Sequence, residues 1–186
     1  SPMKKNRHPH QIFLSSIWRQ EFPSQFHPWH NCVPQRQYRL IQRHPSDRLS
    51  CEPNLKFKKK LEKKYKNDSR DEIVYKGISS EKGEKKFNYN FFDETSSFEE
   101  LNMNSVYLKK KSKILGVNPN DIIVNSELIE IITLGDFISN LDHKIIDLIK
   151  IDTEGHEYEC LLGLFKSLKG KQIKRIQIEH HEIDMY

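Results

Sequence analysis

Apolar and charged positions first fall into a regular pattern well after the start of the chain. Phe57, Leu61 and Tyr65 recur four positions apart, and lysines and glutamate fill most of the positions between them. Residues four apart share one face of an α-helix, so the segment is predicted to be an amphipathic helix of about three turns. The next apolar residues predict a short strand at 73–75 and, after a turn, a second strand at 87–92.

Strands and helices also alternate in the second half of the chain. Branched aliphatic residues predict a strand at 122–132, and a short helix is expected at 134–141. Residues 145–151 form a nearly unbroken apolar run, as in a parallel strand that is buried on both faces. Apolar spacings of three and four predict a helix over 158–168, and a last strand follows at 173–178. This alternation is typical of an α/β fold with a mostly parallel sheet.

Two segments lack such a pattern, and one of them also differs in composition. Residues 93–113 are polar and are predicted to be a long connection or an exposed excursion. In residues 1–50 prolines interrupt every window, no glycine occurs, and the basic residues outnumber the acidic ones by six, although the whole chain has a net charge of +5. We therefore expect residues 1–50 to be an atypical basic, Pro/Gln-rich, poorly structured segment, and residues 51–186 to be the α/β domain.

Composition narrows the possible functions. The three cysteines are far apart and form no Cys-x-x-Cys pair, which argues against a disulfide scaffold, and no apolar run is long enough to span a membrane. We expect a soluble, cytoplasmic protein. His27, His30 and Cys32 could ligate zinc, but no fourth ligand stands at a motif spacing, and no metal site is predicted. Basic and aromatic residues before residue 50 leave open a nucleic-acid-binding module, although such binding is not the favoured function.

Candidate chemistry is concentrated directly after the most apolar strand. Asp152, Glu154, His156 and Glu157 all lie within six residues at the start of a predicted helix. Ligands of open parallel sheets bind outside the carboxyl ends of the strands, so these side chains are expected at a binding crevice. The alternative is structural, because acids and Thr153 also suit a helix N-terminus.

A second candidate is Glu52, which precedes Pro53 and the predicted amphipathic helix. A carboxylate at a strand end can accept hydrogen bonds from both hydroxyls of a ribose. Since Glu52 and Asp152 each precede a helix in a parallel-sheet unit, we expect them at neighbouring strand ends on the same edge of the sheet.

These residues resemble a known family. Residues 150–157 read Lys-Ile-Asp-Thr-Glu-Gly-His-Glu, and together with residues 161–163 and 178–179 they look like the C-terminal half of the FkbM family of S-adenosylmethionine-dependent methyltransferases. Residues 51–54, 74–84 and 132–137 resemble further elements of that family, in the same order. The resemblance covers residues 51–180.

The resemblance implies a Rossmann-like methyltransferase fold with a mostly parallel sheet. It also implies transfer of a methyl group from S-adenosylmethionine, typically to a hydroxyl of a sugar, a lipid or another natural product. On this interpretation Glu52 holds the ribose of the cofactor, and Asp152 and Glu154 border the cofactor. His156 or Asp152 would be the catalytic base.

The first part of the family pattern is missing from this sequence. The family has a first strand and a glycine-rich turn some tens of residues before the position of Glu52, whereas the first glycine here is Gly77. No apolar strand is found in residues 1–51 at the place of the family's first strand, and we expect a fold that is incomplete at both ends. A catalytically inactive remnant or a partner-binding domain therefore remains an alternative to an active methyltransferase.

The abrupt change in composition also suggests that the reading frame changes. The codons of residues 35–41, read one base later, permit Asn-Gly-Asn-Thr-Ala-Leu-Phe, which resembles the segment after the family's first strand. We predict that the gene encodes the family's first strand and its glycine turn out of frame upstream of Glu52, and that the chain as translated binds S-adenosylmethionine weakly or not at all. Sequencing the gene tests this prediction. It would be contradicted if no upstream frame encodes a strand followed by a glycine turn, or if the chain binds the cofactor at micromolar levels.

Overall fold

The computed structural model describes residues 10–15, 47–66, 71–91, 95–179 and 185–186. Its strands are β1 (His10–Ser15), β2 (Asp47–Cys51), β3 (Asp71–Val74), β4 (Gly77–Ser79), β5 (Gly83–Asn90), β6 (Ile123–Thr133), β7 (Ile145–Ile146), β8 (Leu148–Asp152), β9 (Gln172–Ile173) and β10 (Ile176–Ile178). Its α-helices are α1 (Lys58–Tyr65), α2 (Val106–Leu115), α3 (Leu134–Ser139) and α4 (Glu157–Ser167). Short 3-10 turns occupy Leu55–Phe57 and Pro119–Asp121.

The main sheet has five strands in the order β10-β8-β1-β2-β3, and all its described pairs are parallel. Strands β2 and β3 extend from β1 in one direction, while β8 and β10 lie on its other side. The core of this sheet includes Ile149 and Ile151 of β8 and Leu164 of α4, none of which is exposed. The predicted α/β class and the mostly parallel sheet are confirmed.

The centre of the sheet corrects the prediction for the N-terminal region. Strand β1 pairs with β2 on one side and with β8 on the other, and its Ile12 and Leu14 are 1% exposed. The expectation of a poorly structured segment is therefore wrong for residues 10–15 and 47–50, and the expectation of no apolar first strand is wrong for β1. A six-residue strand with parallel neighbours on both sides needs only a short apolar run, which a search for longer periodicity misses. Residues 1–9 and 16–46 lie outside the described residues.

A second sheet has three strands in the order β4-β6-β5. The chain passes from the parallel sheet to this sheet between β3 and β4, which are consecutive in sequence. Strand β4 is parallel to β6, and β5 is antiparallel to it. Phe87, Tyr89 and Phe98 are buried on this sheet with two isoleucines of β6, and the ring of Phe87 makes edge contacts with the other two rings. This aromatic cluster fixes the position of the segment that contains Phe98.

Helix α2 corrects the prediction of an irregular connection at residues 93–113. The hydroxyl of Ser105 accepts the backbone N–H of Leu108 and caps the helix, which ends at Gly116 in a left-handed conformation. Leu108 is completely buried against Ile122 and Met185. A face of two or three apolar residues is sufficient to pack this helix on the domain. Such a narrow face gives no clear helical pattern in a segment with several lysines. In the part of the chain that the structure describes, no helix is long and apolar enough to cross a membrane.

The remaining helices and the longer strands lie close to their predicted positions. The apolar run at 145–151 is divided into β7 and β8, and the last strand is divided in the same way into β9 and β10. Helix α4 crosses directly over β4, where a Cβ atom on Gly163 would overlap the backbone carbonyl oxygen of Ser79. Glycine at this position therefore lets the helix approach the strand closely.

We predict that Gly163→Ala destabilises the protein, although alanine is the better helix former by about 1 kcal/mol. The added methyl group forces α4 away from β4, which should lower the free energy of unfolding by about 1–3 kcal/mol. Urea denaturation measures this loss. Lys166→Ala, at an exposed position of the same helix, is the control and should change stability by less than about 0.5 kcal/mol. Equal stability of Gly163→Ala and the wild type would contradict the close approach.

Candidate functional site

The carboxyl ends of the central strands bring the two acidic candidates to one edge of the sheet. Ser15 pairs with Asp152, and Leu14 pairs with Cys51, so Glu52 continues β2 at about the level of Ser15. The prediction of a common edge is confirmed. The prediction of neighbouring strands is wrong, because β1 lies between β2 and β8 and separates the two positions by two strand spacings, about 10 Å.

Asp152 occupies the point where the strand order reverses. From β1 the chain proceeds to β2 on one side, whereas β8 lies on the other side. In open α/β sheets the connections diverge at such a switch point and leave a crevice between them. Asp152 and Ser15 therefore lie at the position in the fold where ligands generally bind.

Glu52 is a buried carboxyl group, and its side chain is oriented by the residues directly after it. The residue is 3% exposed, and its Oε1 accepts the backbone N–H of Asn54 at 2.7 Å. Burial raises the pKa of the Glu52 carboxyl well above its ordinary value, and the hydrogen bond from Asn54 opposes this only in part. A hydroxyl that donates a hydrogen bond to this carboxylate would offset part of the cost of its charge.

Lys150 connects Asp152 to a second acid at the same edge. Its Nζ lies 2.9 Å from Oδ2 of Asp152 and 3.3 Å from Oε2 of Glu179, directly after β10. The side chains of Lys150, Asp152 and Glu179 are 10%, 2% and 15% exposed. Charges that are removed from water in this way must compensate one another. A lysine within a nearly unbroken apolar strand is the feature of the sequence that could have indicated this group.

The turn between β8 and α4 has an unusual backbone that a glutamate stabilises. Glu154 and Gly155 have positive φ angles of 53° and 97°, and glutamate adopts such angles rarely. Oε1 of Glu157 accepts the backbone N–H groups of Thr153 and Gly155 at 2.8 and 3.2 Å. Glu154 itself is 4% exposed. The alternative interpretation, that the acids of this turn stabilise the helix N-terminus, therefore explains Glu157, which holds the turn. It does not explain the burial of Asp152, Glu154 and His156.

His156 is enclosed by groups from two other segments. Its Nδ1 lies 2.5 Å from Oε1 of Glu99, its Nε2 lies 3.0 Å from Oγ of Ser79, and the ring of Phe98 lies against the imidazole at 5.2 Å between centroids. The residue is 1% exposed. Hydrogen bonding to His156 lowers the pKa of Glu99 despite partial burial. Glu99 and Ser79 were not predicted as site residues, because both are distant from His156 in sequence and nothing in the sequence pattern links them to it.

Phe98 lines two cavities. One, of about 20 Å³, is lined mainly by apolar residues such as Leu14 and Cys51, together with Thr153. The other, of about 420 Å³, is open and polar, with Lys85, Glu99 and other polar residues in its wall. The first cavity has room for about one water molecule. Phe98 thus contributes to the walls of both spaces.

Among the described residues, no group of three or more His, Cys, Asp or Glu side chains could hold a metal ion. His27, His30 and Cys32 lie outside the described residues. The charged residues at this end of the sheet form two separate groups. One is the buried carboxyl of Glu52, and the other is Lys150 with Asp152 and Glu179.

A parallel sheet whose strand order reverses between β1 and β8 defines a Rossmann-like α/β protein. The comparison with family models specifies the class further. The chain belongs to the FkbM methyltransferase family, since the model of the methyltransferase FkbM domain matches residues 22–186. No curated protein and no solved structure matches the chain. The predicted family and its Rossmann-like methyltransferase fold are thereby confirmed, and the family supports assignment as a methyltransferase.

We predict that Lys150→Met destabilises the protein by about 3–5 kcal/mol, because it removes the ammonium group from the buried carboxylate of Asp152 and the half-buried one of Glu179. Equilibrium unfolding at neutral pH measures this loss. The triple variant Lys150→Met, Asp152→Asn, Glu179→Gln removes the charges together and should recover most of the lost stability. A single variant as stable as the wild type would show that Lys150 does not compensate the acids.

We also predict a pH dependence of stability that is due to Glu52. Its folded pKa is raised, so the folded state binds the proton more tightly, and this contribution is present at low pH and lost as the pH rises above the ordinary carboxyl value of 4.5 through the folded pKa. Glu52→Gln removes the ionisable group and should be more stable than the wild type at neutral pH, but not at pH 4. Unfolding measured at both pH values tests this difference, and a difference independent of pH would contradict it.

Proposed function

We propose that the chain binds S-adenosylmethionine at the carboxyl edge of the main sheet. We further propose that it transfers the methyl group to a hydroxyl oxygen of a sugar, a lipid or another natural product. The observation that carries this proposal is the position of Glu52, a buried carboxyl at the end of β2, in a chain of the FkbM methyltransferase family. Bound S-adenosylmethionine would supply an electrophilic methyl group on a sulfonium.

The residues at the edge suit the polar parts of this cofactor. Glu52 has the chemistry to accept hydrogen bonds from the two ribose hydroxyls, which would stabilise its charged form in a buried site. Asp152 and Glu154 are our candidates for further cofactor contacts. Asp152 lies at the switch point and remains close to Lys150, so its negative charge is compensated and its orientation is fixed.

Methyl transfer to oxygen requires an in-line approach and the removal of one proton. Asp152 and His156 are our candidate bases. The surroundings of His156 restrict its action, because Glu99 and Ser79 contact its two ring nitrogens. A proton can therefore reach the imidazole through one of these two groups, and in this arrangement His156 acts as a base at one remove from the acceptor.

The absence of glycine from residues 1–76 favours the alternative of an inactive or partner-binding domain. In this fold glycines let the backbone after the first strand approach the cofactor closely. Residues 16–46, which come after β1, carry larger side chains. Cofactor binding therefore distinguishes the two functions.

Isothermal titration with S-adenosylmethionine is the test: the proposed function requires saturable binding to the wild-type protein, whereas the reading-frame prediction requires weak binding or none. Glu52→Gln should weaken binding about 10- to 100-fold, the effect of losing hydrogen bonds to a charged acceptor. Glu62→Gln, an exposed carboxylate on α1, is the matched control and should bind like the wild type. No binding at millimolar cofactor would replace the proposal with the inactive alternative. Equal weakening in both variants would refute the assignment of Glu52.

A further inference from the structure

Ser79, His156 and Glu99 form a continuous hydrogen-bonded chain that the sequence does not reveal. Ser79 ends β4, His156 precedes α4, and Glu99 comes directly after the aromatic cluster. The two links measure 3.0 and 2.5 Å. Ser79 and His156 are 2% and 1% exposed, whereas the Glu99 side chain is 32% exposed. The chain of groups therefore begins in the interior and ends where solvent has access.

The charge of Glu99 determines the position of the hydrogen on the imidazole. Its pKa is lowered, so the group is a carboxylate at neutral pH. A carboxylate has no hydrogen to donate, and therefore Nδ1 of His156 must carry the hydrogen of this contact. In a neutral imidazole Nε2 then has the lone pair, and it accepts the hydroxyl hydrogen of Ser79.

The outer end of the chain lies in the larger of the two cavities that Phe98 lines. Glu99 is in the wall of this polar cavity of about 420 Å³, where Lys85 Nζ is 3.7 Å from its Oε1. At the inner end, the side chain of Ser79 is buried at the end of β4, next to Ile78, which lines the small cavity. The hydrogen-bonded chain thus connects the buried end of β4 with the polar cavity.

We propose that Glu99 is a positioning residue that holds His156 as the Nδ1–H tautomer, and that Ser79, His156 and Glu99 exchange a proton between the buried end of β4 and the polar cavity. A proton that arrives at Oγ of Ser79 displaces the hydroxyl proton onto Nε2 of His156, and the resulting imidazolium gives its Nδ1 proton to Glu99, which releases it to water. This transfer leaves the ring hydrogen on Nε2. The reverse transfer, in which Glu99 returns a proton from water to Nδ1 and Nε2 returns its proton to Oγ, restores the Nδ1–H tautomer, so the exchange is reversible and consumes no other reactant.

The use of this path in catalysis rests on the proposed function, since methyl transfer to a hydroxyl releases one proton. The path itself does not depend on that function, because the tautomer of His156 and the exchange of its ring hydrogen can be measured in the protein without cofactor or substrate. The two proposals can therefore fail separately: the cofactor titration tests the function, and the histidine spectrum tests the path.

The test is nuclear magnetic resonance of the full chain labelled with ¹⁵N-histidine, with His156 assigned through its contact with Phe98. At neutral pH we expect a hydrogen on Nδ1, none on Nε2, and fast exchange of the ring hydrogen with water despite the burial of the ring. A hydrogen on Nε2, or on both nitrogens, would overturn the proposal.

Variants separate positioning from a general structural effect. Glu99→Gln can donate or accept, so it should abolish the preference for one tautomer and slow exchange about 100-fold, the contribution of a positioned acid or base. Glu99→Asp keeps the carboxylate and should restore both properties in part. Ser79→Ala should keep the hydrogen on Nδ1 but shift the ¹⁵N resonance of Nε2, which loses its hydrogen bond from Oγ; an unshifted Nε2 would show that Ser79 takes no part in the path. Glu100→Gln, in the wall of the same cavity, is the control, and an equal effect there would refute a specific role of Glu99.

Discussion

The parallel pairing of β1 on both of its edges is the constraint on which the site depends. Because β1 hydrogen-bonds to β2 and to β8 in fixed register, the ends of all three strands lie at one level. Glu52 and Asp152, a hundred residues apart in sequence, thereby come to the same end of the sheet. A shift of the register by one residue would turn the side chains of β1 to the opposite face of the sheet and place Ile12 and Leu14 outside the core.

The site combines charges that are compensated in different ways. Asp152 has a lysine beside it, Glu99 has an imidazole and a lysine, and burial makes the charge of Glu52 costly. A buried acid whose ionisation is unfavourable gains most from a ligand that donates hydrogen bonds, whereas Asp152 is already stabilised by its ion pair. This difference makes Glu52 the more informative position for cofactor binding and Asp152 the more important one for stability.

Sequence patterns predicted those elements whose burial follows a regular period. Helix α1, strand β6, strand β8 and helix α4 each have apolar residues at helical or strand spacing, and the family resemblance rested on β8 and its turn. Strand β1 and helix α2 could not be predicted in this way, because their stability comes from tertiary neighbours rather than from their own pattern. The acidic edge could be predicted from strand ends, whereas the contacts of His156 depend on the packing of segments distant in sequence.

The surroundings of His156 restrict the acid–base role that the residue can have. As a lone histidine in a polar turn it would be a direct base, but a 1% exposed ring with both nitrogens in contact cannot meet an acceptor itself. Its basicity is useful only if the groups beside it transfer protons, and the carboxylate of Glu99 is the one of these two groups that solvent reaches. The same contacts attach the turn after β8 to the three-stranded sheet, so the arrangement that gives access to protons also holds Asp152 and Glu154 in place.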